Sequence, residues 1–162
     1  MYVLAYSQTV YDWLKTFHVL AAVIWVGGDV MLLILSVRIV SANDPRQKAT
    51  FVHDVGEVGQ RFLAPTSLVL IVFALALVIY SPAWNFSDPW IVIAIAGYLV
   101  TFVTGAFVTG PTAVKIDKML QAGTTPDDPG VQALIDRTLK IARVDVTVLL
   151  LIVVDMVLKP GN

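Results

Sequence analysis

From Trp13 to Val40 the chain carries an apolar run long enough to cross a bilayer, whose hydrocarbon core takes roughly 20 helical residues. Yet that run holds Lys15, His18 and Asp29, side chains that lipid rejects. At ~3.6 residues per turn, Trp25 falls about 20° to one side of His18 and Asp29 about 20° to the other, so the three share one face. Such a stripe must turn away from lipid, against another helix or toward a bound group.

The rest of the chain follows from this start. Of 162 residues, 57% are hydrophobic and 14% charged, an apolar excess beyond what a soluble core needs, so the surplus faces lipid. Three further stretches approach a membrane-crossing length, giving spans at about 13–40, 61–80, 90–109 and 143–158. These runs are continuous rather than alternating, which excludes barrel strands. The expected fold is all-α, a four-helix transmembrane bundle forming a single integral membrane domain. Pro65 is placed to kink the start of the second span, Pro89-Trp90 opens the third, and Gly110-Pro111 is expected to end it. Lys159-Pro160-Gly161 stops the fourth.

Nine of the 11 Lys and Arg residues fall between the first and second spans or between the third and fourth, leaving Lys15 and Lys159 on the other side. The positive-inside rule then puts both termini on the non-cytoplasmic side of a bacterial plasma membrane. Tyr11, Trp13, Tyr80, Trp84 and Trp90 gather at that same outer interface, as an aromatic belt should. The amino terminus has no basic segment before the first apolar run, so the first helix reads as retained rather than as a cleaved leader. Residues 48–60 read as an amphipathic extension of the second helix at the membrane surface. The loop from Gly123 to Gly130 precedes a helix that feeds the last span.

Composition also limits the chemistry. With no cysteine, disulfides, thiolate nucleophiles, Cys-ligated iron–sulfur clusters and covalently attached haem are excluded. A net charge of −1 gives no reason to expect nucleic acid. The polar residues within the spans therefore carry the functional reading. His18 lies two turns inside the outer end and can ligate a metal or bond a carboxylate. Asp155 and Met156 of the last helix return to that depth, making Asp155 the natural partner of Lys15 or His18. Asp29, about 16 Å further in at 1.5 Å per residue, can relay a proton, orient a cofactor propionate or bond a threonine of the third helix. His53 belongs to the opposite face, so a bis-histidine haem within one chain is disfavoured. Gly97, Thr101, Gly105 and Thr109, each four residues apart, read as a close helix contact, or as room for a flat cofactor.

Trp13, Lys15, His18, Trp25 and Gly27-Gly28 together resemble the first helix of a group of small bacterial membrane proteins. That group comprises the copper-resistance D-like family, a family of predicted integral membrane proteins of unknown function, and the membrane-bound haem-containing protoporphyrinogen oxidase. In length and four-span layout the chain is most similar to the unknown-function family. The oxidase resemblance implies haem b on the histidine matching His18. However, that family's lysine in a later span is absent here, and Leu32-Leu33-Ile34-Leu35-Ser36-Val37-Arg38 replaces its Leu-Pro-Arg-Leu segment. The copper-resistance resemblance implies inward copper movement, with His18 and Met156 as soft-ion ligands. The expectation is thus a membrane protein binding haem b or another redox cofactor through His18, with Lys15, Trp25, Asp29, Asp155 and Met156 around it. Copper binding is one alternative. Another is a cofactor-free scaffold subunit of a homo-oligomer or larger membrane complex.

Overall fold

The computed structural model describes residues 7–42 and 44–161, apart from the side chains of 42, 45, 46, 48, 49, 52 and 53. The readings resting on Met1–Tyr6 and on the side chain of His53 therefore lie outside the described residues. Helix α1 spans Gln8–Ala42 and α2 spans Pro45–Val58, from which a π turn, Gly59–Leu63, leads without a break into α3, Ala64–Tyr80. Helix α4 spans Pro89–Thr104, and a second π turn, Gly105–Thr109, leads into α5, Gly110–Gln121; α6 spans Pro129–Leu158. The chain is all-α and forms four rods.

Local chemistry sets most of the ends. Asp88 precedes Pro89, whose missing N–H costs nothing in a first helical turn, and the Asp88 carboxylate accepts from Asn85 N–H at 2.9 Å. Asp128 caps α6 by accepting from the N–H groups of Gly130 (2.8 Å) and Val131 (3.3 Å). At the other end of α6, Lys159 turns left-handed at φ 45° and Gly161 follows at φ 87°.

One expectation fails. Gly110-Pro111 does not end the third rod, which continues to Gln121. Gly110 N–H reaches back five residues to Gly105 O, and threonine hydroxyls cover nearby carbonyls: Thr109 donates to Gly105 O at 3.1 Å and Thr112 to Val108 O at 2.6 Å. The proline is absorbed by widening one turn instead of breaking the helix. Residues 45–58 do extend the second rod, as expected, but they pack on α5.

Three of the rods are long and apolar enough to cross a membrane: Gln8–Ser41, Asp54–Tyr80 and Pro89–Gln121. The apolar end of α6 holds Arg143, Asp145 and Asp155, which sets it apart from them. Val23, Ile79 and Val157 are 65%, 73% and 75% exposed, an outward apolar surface suited to lipid.

Helix α1 packs on α3 and on α6, α4 packs on α6, and α2 packs on α5. Two places require a missing Cβ. On Gly97 it would come within 2.7 Å of Ile152 Cδ1, where α4 meets α6; on Gly28 it would come within 2.7 Å of Leu63 Cδ2, where α1 meets the first π turn. Ala21, Trp25, Leu63, Leu70, Tyr98 and Leu149 form the central core, and Ile116, Val131 and Ile135 a second one under the loop after α5.

Candidate functional site: a chamber between the π turns

The start of α1, the α3–α4 turn and the end of α6 meet at one end of the bundle. Ser7 N–H donates to Tyr80 Oη at 2.8 Å, Tyr11 meets Trp84 edge-on at 5.7 Å, and Trp84 meets Trp90 at 5.2 Å. Lys159 Nζ sits 4.6 Å from the Trp84 ring centre and 5.3 Å from that of Trp90, close enough for cation–π attraction to both. The aromatic end expected from the sequence is therefore built.

Below it, His18 is buried and its Nδ1 lies 3.3 Å from Leu70 O on α3. The expected pairing with α6 is not made. Asp155 Oδ2 is buried with no hydrogen-bond partner among the described residues, and Lys15 lies exposed on α1. Depth along a helix places residues at one level without bringing them together, and His18 turns toward α3. Met156 is half-buried beside Asp155. Trp90 Nε1 is a second buried polar atom at this end, a donor without a hydrogen-bond partner among the described residues.

The main cavity lies deeper. A chamber of about 530 Å³ is walled by Trp25, Asp29, Leu32 and Ser36 of α1, by Thr138, Ala142 and Asp145 of α6, and by both π turns. Its upper boundary is aromatic: Trp25 meets Tyr98 edge-on at 5.5 Å, and Tyr98 Oη donates to Ser67 O at 3.1 Å, tying α4 to α3. Its lower boundary is the α2–α5 contact, where Gly56 faces Ala113. A narrow apolar cleft of about 70 Å³, lined by Ile39, Phe51, Ile116 and Ile135, shares Ser36, Val55 and Thr138 with the chamber. His18 lines neither space. The chamber is large enough for a drug-sized ligand.

Two carboxylates line it. Asp145 accepts from Thr104 Oγ1, 2.8 Å from each carboxylate oxygen, whereas Asp29 has no hydrogen-bond partner among the described residues. No Lys, Arg or His is among the lining residues that the structure describes. The face shared by His18, Trp25 and Asp29 is thus real but divided, with His18 held by α3 and Trp25 and Asp29 turned to the chamber. Of the three roles open to Asp29, bonding a threonine of the third rod falls instead to Asp145 through Thr104.

The π turns carry matching sequence. Gly59-Gln60-Arg61-Phe62-Leu63-Ala64-Pro65-Thr66 and Gly105-Ala106-Phe107-Val108-Thr109-Gly110-Pro111-Thr112 both place glycine first, a small residue sixth, then Pro-Thr. Each turn closes the same way, with Ala64 N–H reaching Gly59 O and Gly110 N–H reaching Gly105 O. Widened turns of this kind occur mostly at functional positions. The stripe at Gly97, Thr101, Gly105 and Thr109 is accordingly half contact and half wall: Gly97 meets α6, while Gly105 and Thr109 line the chamber.

Asp145 and Thr104 escaped the sequence reading. The available signal was an acid inside an apolar run, the same signal that singled out Asp29. A family model described as "Predicted integral membrane protein (DUF2269)" matches residues 12–160. It agrees with the unknown-function member of the group resembled by the first helix, and lends no support to the copper-resistance D-like or oxidase members. No curated protein and no solved structure matches the chain.

Proposed function

The chain belongs to the DUF2269 family of predicted integral membrane proteins, and from that premise we propose that it crosses the bilayer four times and binds a positively charged organic ligand in its central chamber. The nine-to-two distribution of Lys and Arg supports termini on the non-cytoplasmic side of a bacterial plasma membrane. The chamber then belongs to the cytoplasmic half, because Asp29 lies about 24 Å along α1 from Trp13 at 1.5 Å per residue.

One observation carries the ligand reading: Asp29 and Asp145, from different helices, line one largely apolar chamber that no basic side chain enters among the described residues. An ionised carboxylate at such depth calls for a counter-charge or a proton, and the walls of this chamber supply no cation. An ammonium fits: it is attracted by the acids, accepted as a donor by Asp29 and by the Ser36 and Thr138 hydroxyls, and its carbon body suits Trp25 and Leu32. Thermal unfolding of the purified protein with a panel of alkylamines tests this. The amines should raise the midpoint for the native chain, with the shift lost in Asp29→Asn and Asp145→Asn and kept in Asp145→Glu. A midpoint indifferent to every amine would leave the cofactor-free scaffold role in a homo-oligomer or larger complex as the reading to pursue.

His18 supports a second reading. Metal-bound histidines usually anchor one ring nitrogen on a carbonyl so that the other is presented as an acceptor, and His18 Nδ1 faces Leu70 O in that manner. The chamber does not reach His18, so a haem on His18 would occupy a place apart from it. A Soret band present after haem supplementation and absent in His18→Ala would establish that site; copper retained by the native chain but lost in His18→Ala and Met156→Leu would establish the soft-ion alternative.

A further inference from the structure

The chamber has a window, and its position identifies the kind of molecule that can use it. Every lining residue contributed by α1 and α6 is buried or half-buried, whereas the exposed ones, Gln60, Ala64, Ala106, Pro111 and Val114, all lie on the two rods that carry the π turns, the first four within two residues of a turn. The rods bearing those turns are joined above by the Tyr98–Ser67 bond and below by the α2–α5 contact. Between these ties the chamber is open sideways. Counting inward from Tyr80 and from Pro89 at 1.5 Å per residue, both turns begin about 25–30 Å from the aromatic end, the thickness of the hydrocarbon core. The window thus opens at the level where acyl chains meet headgroups. Phe62 and Phe107, 55% and 72% exposed, flank it on the outside.

We propose that the ligand of this site is a membrane-dissolved amphiphile with an ammonium head, which enters sideways between the π turns, sets its head against Asp29 and Asp145 and leaves its chain in the bilayer. The inference rests on the cation-binding reading above and adds to it the ligand's chain and its route. Charge complementarity selects the head: two carboxylates and no base repel a phosphate-headed anionic lipid as firmly as they attract an amine. The wall selects the rest, since apart from the acids and a few hydroxyls and Gln60 it is aliphatic or aromatic. At that level an amphiphile is already concentrated and oriented, its head at the interface and its chain in the bilayer, whereas a water-soluble cation has no such enrichment there.

The test uses the full chain in phosphatidylcholine nanodiscs, with dodecylamine and butylamine as probes and binding expressed per amine in the accessible phase, so that partition into lipid is removed. Dodecylamine should bind at least tenfold more tightly than butylamine and weaken at least tenfold in Asp29→Asn, with Asp29→Glu retaining it. Ala64→Phe combined with Ala106→Phe fills the window; it should weaken or slow dodecylamine about tenfold. Equal affinities for the two amines, both lost in Asp29→Asn, would overturn the amphiphile while leaving the cation site standing. No binding of either would overturn both. Displacement of dodecylamine by phosphatidylglycerol at matched mole fraction would overturn the choice of head group.

Discussion

At the scale of single residues, the polar atoms inside the bundle fall into those satisfied within the fold and those left for something else. Tyr98 Oη is satisfied by Ser67 O, and Tyr98→Phe should cost about 0.5–1.5 kcal/mol, read as a lower unfolding midpoint in detergent. Thr104 is the donor to Asp145, so Thr104→Val leaves a carboxylate at membrane depth without it and should cost about 1.5–3 kcal/mol, while Thr104→Ser should restore the native midpoint. Asp29 has no such donor. Asp29→Asn should therefore unfold no earlier than the native chain even as it abolishes amine binding, and a large loss of stability would show Asp29 to be structural. The sequence marked Asp29 because it interrupts an apolar run. It did not mark Thr104, because a threonine in a membrane helix ordinarily bonds its own backbone, which Thr104 also does through Val100 O at 3.0 Å.

At the scale of elements, the two long rods differ from plain helices in one turn each. A π turn takes in one extra residue, so everything beyond it is rotated by about 100° relative to an uninterrupted α-helix. Beyond Thr109 that rotation re-aims α5, while Gly105 and Thr109 themselves line the chamber and Gly97 meets α6. Gly110 sits where a Cβ would lie 3.0 Å from Gly105 O, and Gly110→Val should disturb the second turn and narrow the chamber. Gly97→Val, by contrast, strikes Ile152 at the α4–α6 contact and should cost about 1–3 kcal/mol in overpacking without touching the chamber. Comparing the two variants by midpoint and by amine affinity separates contact from wall: Gly97→Val should move chiefly the first, Gly110→Val chiefly the second. Helix starts and stops were legible wherever breakers acted locally, as at Pro89-Trp90 and Lys159-Pro160-Gly161, whereas the last helix begins at Pro129 behind its Asp128 cap, inside the stretch read as a loop to Gly130. Gly110-Pro111 misled because one widened turn lets the helix run on past the proline, which depends on geometry rather than on composition.

At the scale of the whole molecule, the bundle has an aromatic end and a basic end, and its membrane orientation can be read directly because the chain has no cysteine. Ser87→Cys, in the α3–α4 turn, should react with a membrane-impermeant maleimide on intact cells, and Thr125→Cys, in the loop before α6, only after lysis; the reverse pattern would invert the topology and put the chamber in the outer half. The sequence by itself determined that the protein is helical, that its surface suits lipid, and which ends of the rods come together, because each of these follows from apolar run length, aromatic placement and capping within a few residues. It also showed that His18, Trp25 and Asp29 share a face, since the helical period is fixed. Only the tertiary structure decided what that face meets. His18 went to a carbonyl of α3 instead of the carboxylate of Asp155, and Asp29 came to share a chamber with Asp145, far along the chain. The period of a helix fixes angles within one rod, but the choice of facing rod, and the extra turn that rotates half of it, depend on how all four pack.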